Sequence, residues 1–111
     1  MALNHTKFTW TAPTKNVDGT PITYALDYTF YANKVGDQPV AILTTPGSLN
    51  PQGQYEAPIA DMPFFVPGFS YETRLTARQH DNQANESAKT NPLTFALTDT
   101  TPQSPLDLAV S

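Results

Sequence analysis

Apolar and polar side chains alternate along much of this chain. In residues 7–13, Phe8, Trp10 and Ala12 fall on one side and Lys7, Thr9 and Thr11 on the other, the period-two pattern of a strand with one buried face. The longest such run is 23–35. There Tyr24, Leu26, Tyr28 and Phe30 share a face, and Ala25, Asp27, Thr29 and Tyr31 take the opposite one. Residues 70–80 repeat the pattern, with Tyr71, Thr73, Leu75 and Ala77 against Glu72, Arg74, Thr76 and Arg78. The apolar run 40–45 and the alternation of Leu93, Phe95 and Leu97 predict two more strands. Asp18-Gly19, Gly36-Asp37 and Pro67-Gly68 mark turns, because glycine accepts positive φ and proline presets the first turn position. Residues 45–54 read as loop and 81–92 as a polar hairpin loop. Residues 55–65 carry Ile59, Met62, Phe64 and Phe65 but are broken by Pro58 and Pro63, which predicts a bulged edge strand.

The same alternation returns at the far end, where Leu106, Leu108 and Val110 interleave with Asp107, Ala109 and Ser111 behind Pro102 and Pro105. It predicts a half-buried strand placed after the last strand the domain needs. Residues 1–100 therefore read as one domain and 101–111 as an extended, strand-like arm.

Composition sharpens this picture. Six Phe, five Tyr, one Trp and sixteen Thr favour strands, and eleven Pro oppose long helices. The predicted class is all-β, with strands at the spacing of a sandwich. Without cysteine there is no disulfide framework and no thiolate metal site. The six Lys and Arg are scattered through a chain of net charge −4, which speaks against a nucleic-acid partner and against an anionic membrane surface. No apolar run approaches the ~20 residues of a membrane helix. The opening MALNHTKFTW has no apolar signal region. The expectation is a protein made in a cytoplasm or released by lysis, the alternative being a chain separated from its leader.

Candidate chemistry is sparse. His5 and His80 have no spaced partner histidine and read as exposed side chains. Asp18, Asp81 and Glu86 sit in predicted loops that can share a pole, but a calcium site needs several converging oxygens, and turn capping is the better reading. Glu56 and Asp61 flank Pro58 and resemble a carboxylate pair, yet edge solubility explains them better. No phosphate-cradling glycine loop and no G-x-S-x-G occurs. Asn4-His5-Thr6 and Asn85-Glu86-Ser87 match the glycosylation sequon, which counts as coincidence without a signal segment. Tyr31, Phe69 and Tyr55 are the aromatic residues least committed to a core, so a weak glycan contact stays open. The expectation is no enzyme and no cofactor.

Three stretches resemble the fibronectin type III family. F-T-W-T-A-P at 8–13 resembles its second strand, whose tryptophan plugs the core. D-G-T-P-I-T-Y-A-L-D-Y at 18–28 resembles the loop and third strand of bacterial and phage members. F-V-P-G-F-S-Y-E-T-R-L-T-A at 65–77 resembles the turn that opens the sixth strand. N-Q-A-N-E-S at 82–87 is similar to a hairpin loop of bacterial members. The resemblance covers residues 7–99 and implies an immunoglobulin-like sandwich of about seven strands. Trp10, Tyr24, Leu26, Tyr28, Phe30, Tyr71, Leu75 and Phe95 would lie in its core, and Tyr71 would be a tyrosine corner whose hydroxyl bonds the upstream backbone. The family's proline-rich lead and first strand are missing or stunted before Lys7. Pro102, Pro105, Leu106, Leu108 and Val110 look like that lead and strand, moved to the other end.

The implied role is contact rather than catalysis. The arm's apolar positions, Leu106, Leu108 and Val110, are the candidate interface, and its expected acceptor is a neighbouring copy. Its own body is a taut alternative, because climbing the sandwich takes ~26 Å and the segment from Asp99 to Leu106 reaches ~23–25 Å. A frayed end, or a cut inside a following tandem domain, is the ordinary alternative. Short solitary members of this type look like phage virion proteins, so the expected place is a virion assembled in a host cytoplasm, as head decoration, collar or connector, or tail accessory. Its partners would be other virion proteins and copies of itself. The alternatives are a carbohydrate-binding or host-adhesion module and an accessory domain of a bacterial extracellular enzyme, both extracellular.

Overall fold

Side chains that alternate inward along several strands are buried only when two sheets face each other. The computed structural model, which describes residues 1–111, arranges the chain in that way. Its strands are β1 (Lys7–Trp10), β2 (Leu26–Lys34), β3 (Val40–Thr45), β4 (Ser48–Leu49), β5 (Tyr55–Pro58), β6 (Phe69–Gln79), β7 (Asn82–Glu86) and β8 (Leu93–Leu97). One sheet has the order β1-β5-β4. The other runs β3-β2-β6, with β7 and β8 both pairing β6. Every ladder is antiparallel. The protein is all-β, with two sheets in sandwich-like packing.

The core lies between the sheets. Phe8, Ala57 and Ile59 come from the smaller sheet and its exit, Phe30, Ala32, Tyr71 and Leu97 from the larger, and Met62 and Phe65 from the connection between them. Trp10, Leu75 and Phe95 are half-buried and pack against this cluster. Tyr28 is buried beside Trp10, with ring centroids 5.1 Å apart. Tyr24 and Leu26 stand outside the cluster, because β1 has ended at their level. They face the loop that carries Pro13 and Ile22 instead. Gly47, at φ 70, packs on the indole, where a Cβ would come within 2.7 Å of Trp10 Cζ2.

Three expectations need correction. Residues 55–65 are not an edge strand: β5 is the middle strand of its sheet. Pro58 ends it, a 3-10 turn spans Ile59–Asp61, and the chain then turns inward to bury Met62 and Phe65. Residues 45–54 are not all loop. Asn50 Oδ1 accepts hydrogen bonds from the amides of Gln52 and Gln54, and this side-chain-closed turn joins β4 to β5. Residues 81–92 contain β7, so two short segments share one flank of β6. Between them Thr90 spans the gap, its amide donating to Leu75 O and its hydroxyl accepting from Leu75 N.

The outward face of β2 is more enclosed than simple alternation predicts. Asp27, Thr29 and Asn33 are buried, because β2 lies inside its sheet and neighbouring polar side chains close over it. Thr29 and Thr44 hydroxyls are 2.9 Å apart, and Asn33 Nδ2 donates to Glu72 Oε1. Burial of polar groups is tolerated when such partners exist.

Tyr71 is fully buried at the end of the sandwich where β6 begins. Its hydroxyl donates to Val66 O at 2.9 Å and accepts from Val66 N at 3.0 Å. Replacing Tyr71 by Phe keeps the ring but strips two backbone groups of their partner. A loss of about 1–3 kcal/mol is expected, read as a lower urea midpoint with unchanged slope. A variant as stable as the parent would contradict this role.

Candidate functional site

β1 pairs with β5 on one flank and has no strand on the other. Open edges present unpaired amides and carbonyls that recruit further strands. One guard is present: Lys7 on β1 forms an ion pair with Glu56 on β5, N to O 3.0 Å. Glu56 also accepts from Asn50 Nδ2, and the bonds from Lys7 and Asn50 hold its carboxyl below the ordinary value.

The open edge is also a cleft. Two adjoining hollows, of about 280 and 170 Å³, run along β1 between the sheets. Phe8, Trp10, Tyr28 and Phe30 line them from the core side, and Leu75 and Leu93 from the larger sheet. The half-burial of Trp10 and Leu75 follows from this opening. Burial pushes the Tyr28 phenol up.

The arm leaves the same end of the molecule at which β1 begins. Leu3 bridges Asp99, Asn4 N donates to Thr98 O, and Thr100 N donates to Ala2 O. Residues 2–4 thus lie beside the end of β8 rather than beside β1, and they do not cover the edge. Beyond them the arm forms no strand and lies fully in solvent. Leu106, Leu108 and Val110 are 87%, 98% and 99% exposed. The radius of gyration, 18.2 Å, exceeds the ~13 Å usual for this length, and the long axis of 74 Å reflects the projecting arm.

A second concave region lies at the opposite end. It encloses about 450 Å³ and is lined by Asn16, Asp18, Tyr24, Arg78, Asn85 and Glu86, among others. Three of its charged groups, Glu86, Arg78 and Asp18, are engaged. Glu86 Oε2 accepts from Tyr31 and Thr76 hydroxyls at 2.6 Å and from Arg78 Nη2 at 3.0 Å. Asp18 Oδ1 accepts from the amide and hydroxyl of Thr20, which hold its carboxyl below the ordinary value. Asp81 bonds Gln79 and does not line this region. The three acids are not brought together, and no group of three metal-ligating side chains forms. Glu56 and Asp61 also stay apart in role, one on β5 and the other in the 3-10 turn.

Two polar clusters are not legible in the sequence. His80 Nδ1 lies 2.9 Å from Asp27 Oδ2, which also accepts from Gln83 Nε2. The Glu86 cluster was hidden because 81–92 read as loop. His5 packs edge-on against Phe95. Among the aromatic candidates, Tyr55 stacks on Trp10, Tyr31 carries Lys89 over its ring, and exposed Phe69 carries Lys34 at 3.6 Å.

No protein-family model, no curated protein and no solved structure matches this chain.

Burial opposes the Glu86 charge, but the bonds from Thr76, Tyr31 and Arg78 outweigh it and lower the carboxyl's pKa from 4.5. Its stabilising effect is therefore complete above that value and lost as pH falls through the lower folded one. Glu86→Gln should flatten the fall of unfolding free energy between neutral and acid pH. Urea titrations across that range check it, and parallel curves for the two proteins would refute it.

Proposed function

We propose that this chain is a non-enzymatic contact module of the fibronectin type III kind, a structural component of a bacteriophage particle. Head decoration, collar or connector, and tail accessory are the roles it suits. The observation that carries the reading is the pairing of an open β1 edge with an exposed, alternating arm on the same chain. An interaction surface and a matching strand serve assembly, where many weak contacts add through symmetry. The contacts would include donation of the arm to a neighbouring copy. The resemblance at 8–13, 18–28 and 65–77 supports the family, and Tyr71 bonding Val66 fits the corner that the resemblance implies. The antiparallel two-sheet arrangement is compatible with that family.

A second reading draws on the polar cleft near Tyr24. Tyrosine, asparagine and glutamine side chains at its wall suit hydroxyl-rich ligands, so a carbohydrate-binding or host-adhesion role is the alternative.

Mass spectrometry of purified virions from the source encoding this chain separates the two. The structural reading expects the chain in the particles at a fixed copy number. Recovery only from the soluble lysate would overturn it, and retention of the isolated protein on a polysaccharide column would favour the alternative.

A further inference from the structure

The arm and the cleft match in period, length and chemistry. The inward side of the first segment offers Phe8, Trp10 and Ala12 at two-residue spacing, and the arm offers Leu106, Leu108 and Val110 at the same spacing. Each set spans about 13 Å as a strand. Pro102 and Pro105 have no amide hydrogen, so ladder pairing starts at Leu106.

Direction decides whose cleft is filled. Thr101 is fixed at the end where β1 starts, through its hydroxyl to Ala2 N and its amide to Asp99 Oδ1. An arm entering its own cleft from there would run parallel to β1. All ladders in the molecule are antiparallel. To run antiparallel, Leu106 must first reach the level of Ala12. Five residues of arm reach at most ~18 Å, and Lys7 to Ala12 alone takes ~17 Å. Nothing is left for the path from Thr101 to Lys7 or for the reversal. A second copy stacked end to end presents its Ala12 side to the incoming arm and needs no reversal.

Resting on the contact-module reading, we propose that residues 106–110 of one copy add antiparallel to β1 of the next. Leu106 lies opposite Ala12, Leu108 opposite Trp10 and Val110 opposite Phe8, with the three apolar side chains closing the cleft lined by Trp10, Tyr28 and Leu75. This is strand addition at an open edge. In the free chain Asp107 has φ 57, so the arm is bent there and straightens on docking. The outward pairs in this register are Ala109 with Thr9 and Asp107 with Thr11.

The absence of cysteine makes the register testable by disulfide trapping. Thr9→Cys and Ala109→Cys are separate single variants at exposed positions, mixed as full chains and oxidised gently. Directly opposed antiparallel residues come close enough for a disulfide. The expected result is a mixed disulfide exceeding the half that random pairing gives. It should be lost when Leu108, itself in solvent and outside the folded body, is changed to Asp in the Ala109→Cys chain. Thr9→Cys mixed with Asp107→Cys, which reports a parallel register, should give no such excess. Random pairing in the first mixture, equal trapping by the Asp107 variant, or ring closure within a single doubly substituted chain would each overturn the proposal. Failure here with the chain still present in virions removes arm donation and leaves the contact role. Success with the chain absent from virions does the reverse.

Discussion

A single layer of aromatic rings holds the two sheets together, and its reach sets what the molecule can close by itself. Phe8, Phe65, Tyr71 and Phe95 form a cluster with centroid distances of 4.9–5.9 Å. Phe30 joins it through Phe8. Contacts of this kind add to the burial of large apolar surfaces. The cluster is fixed at one end by the Tyr71 hydroxyl on Val66 and thins toward Trp10. There the indole has Tyr28, Phe30, Tyr55 and Gly47 against it and also borders the cleft. The sandwich is therefore well closed where β6 begins and open along β1.

The larger sheet compensates on its outer surface with polar bonding. Glu86 collects three donors on one oxygen, and Asp27 binds both His80 and Gln83. These bonds link β7 and the turn before it to β2, two strands away, so the short β7 is held by side chains more than by its ladder.

Much of the architecture was legible from alternation. The strands around Phe8, Tyr28, Thr73 and Phe95 could be read directly, because each has one apolar side and nearby turn residues. The Asn50 turn and β4 could not. Their order comes from side-chain-to-backbone bonds within a stretch whose composition looks like loop. β5 was misplaced as an edge because Pro58 implies an edge strand, whereas here it simply ends a central one. Tyr24 and Leu26 share the periodicity of Tyr28 and Phe30, but periodicity cannot say where the facing sheet stops. The cleft beneath the open edge depends on how Leu75 and Leu93 stand across from Trp10, a relation between sheets that one-dimensional spacing does not contain.

The proposed contact would be heterologous, since the arm that gives is a different surface from the β1 cleft that receives. A row built from it would be polar, like a file of identical couplings: its first member keeps an unfilled groove and its last an unused hook. Growth would end only by closing into a circle or by meeting a different protein that carries just one half of the coupling.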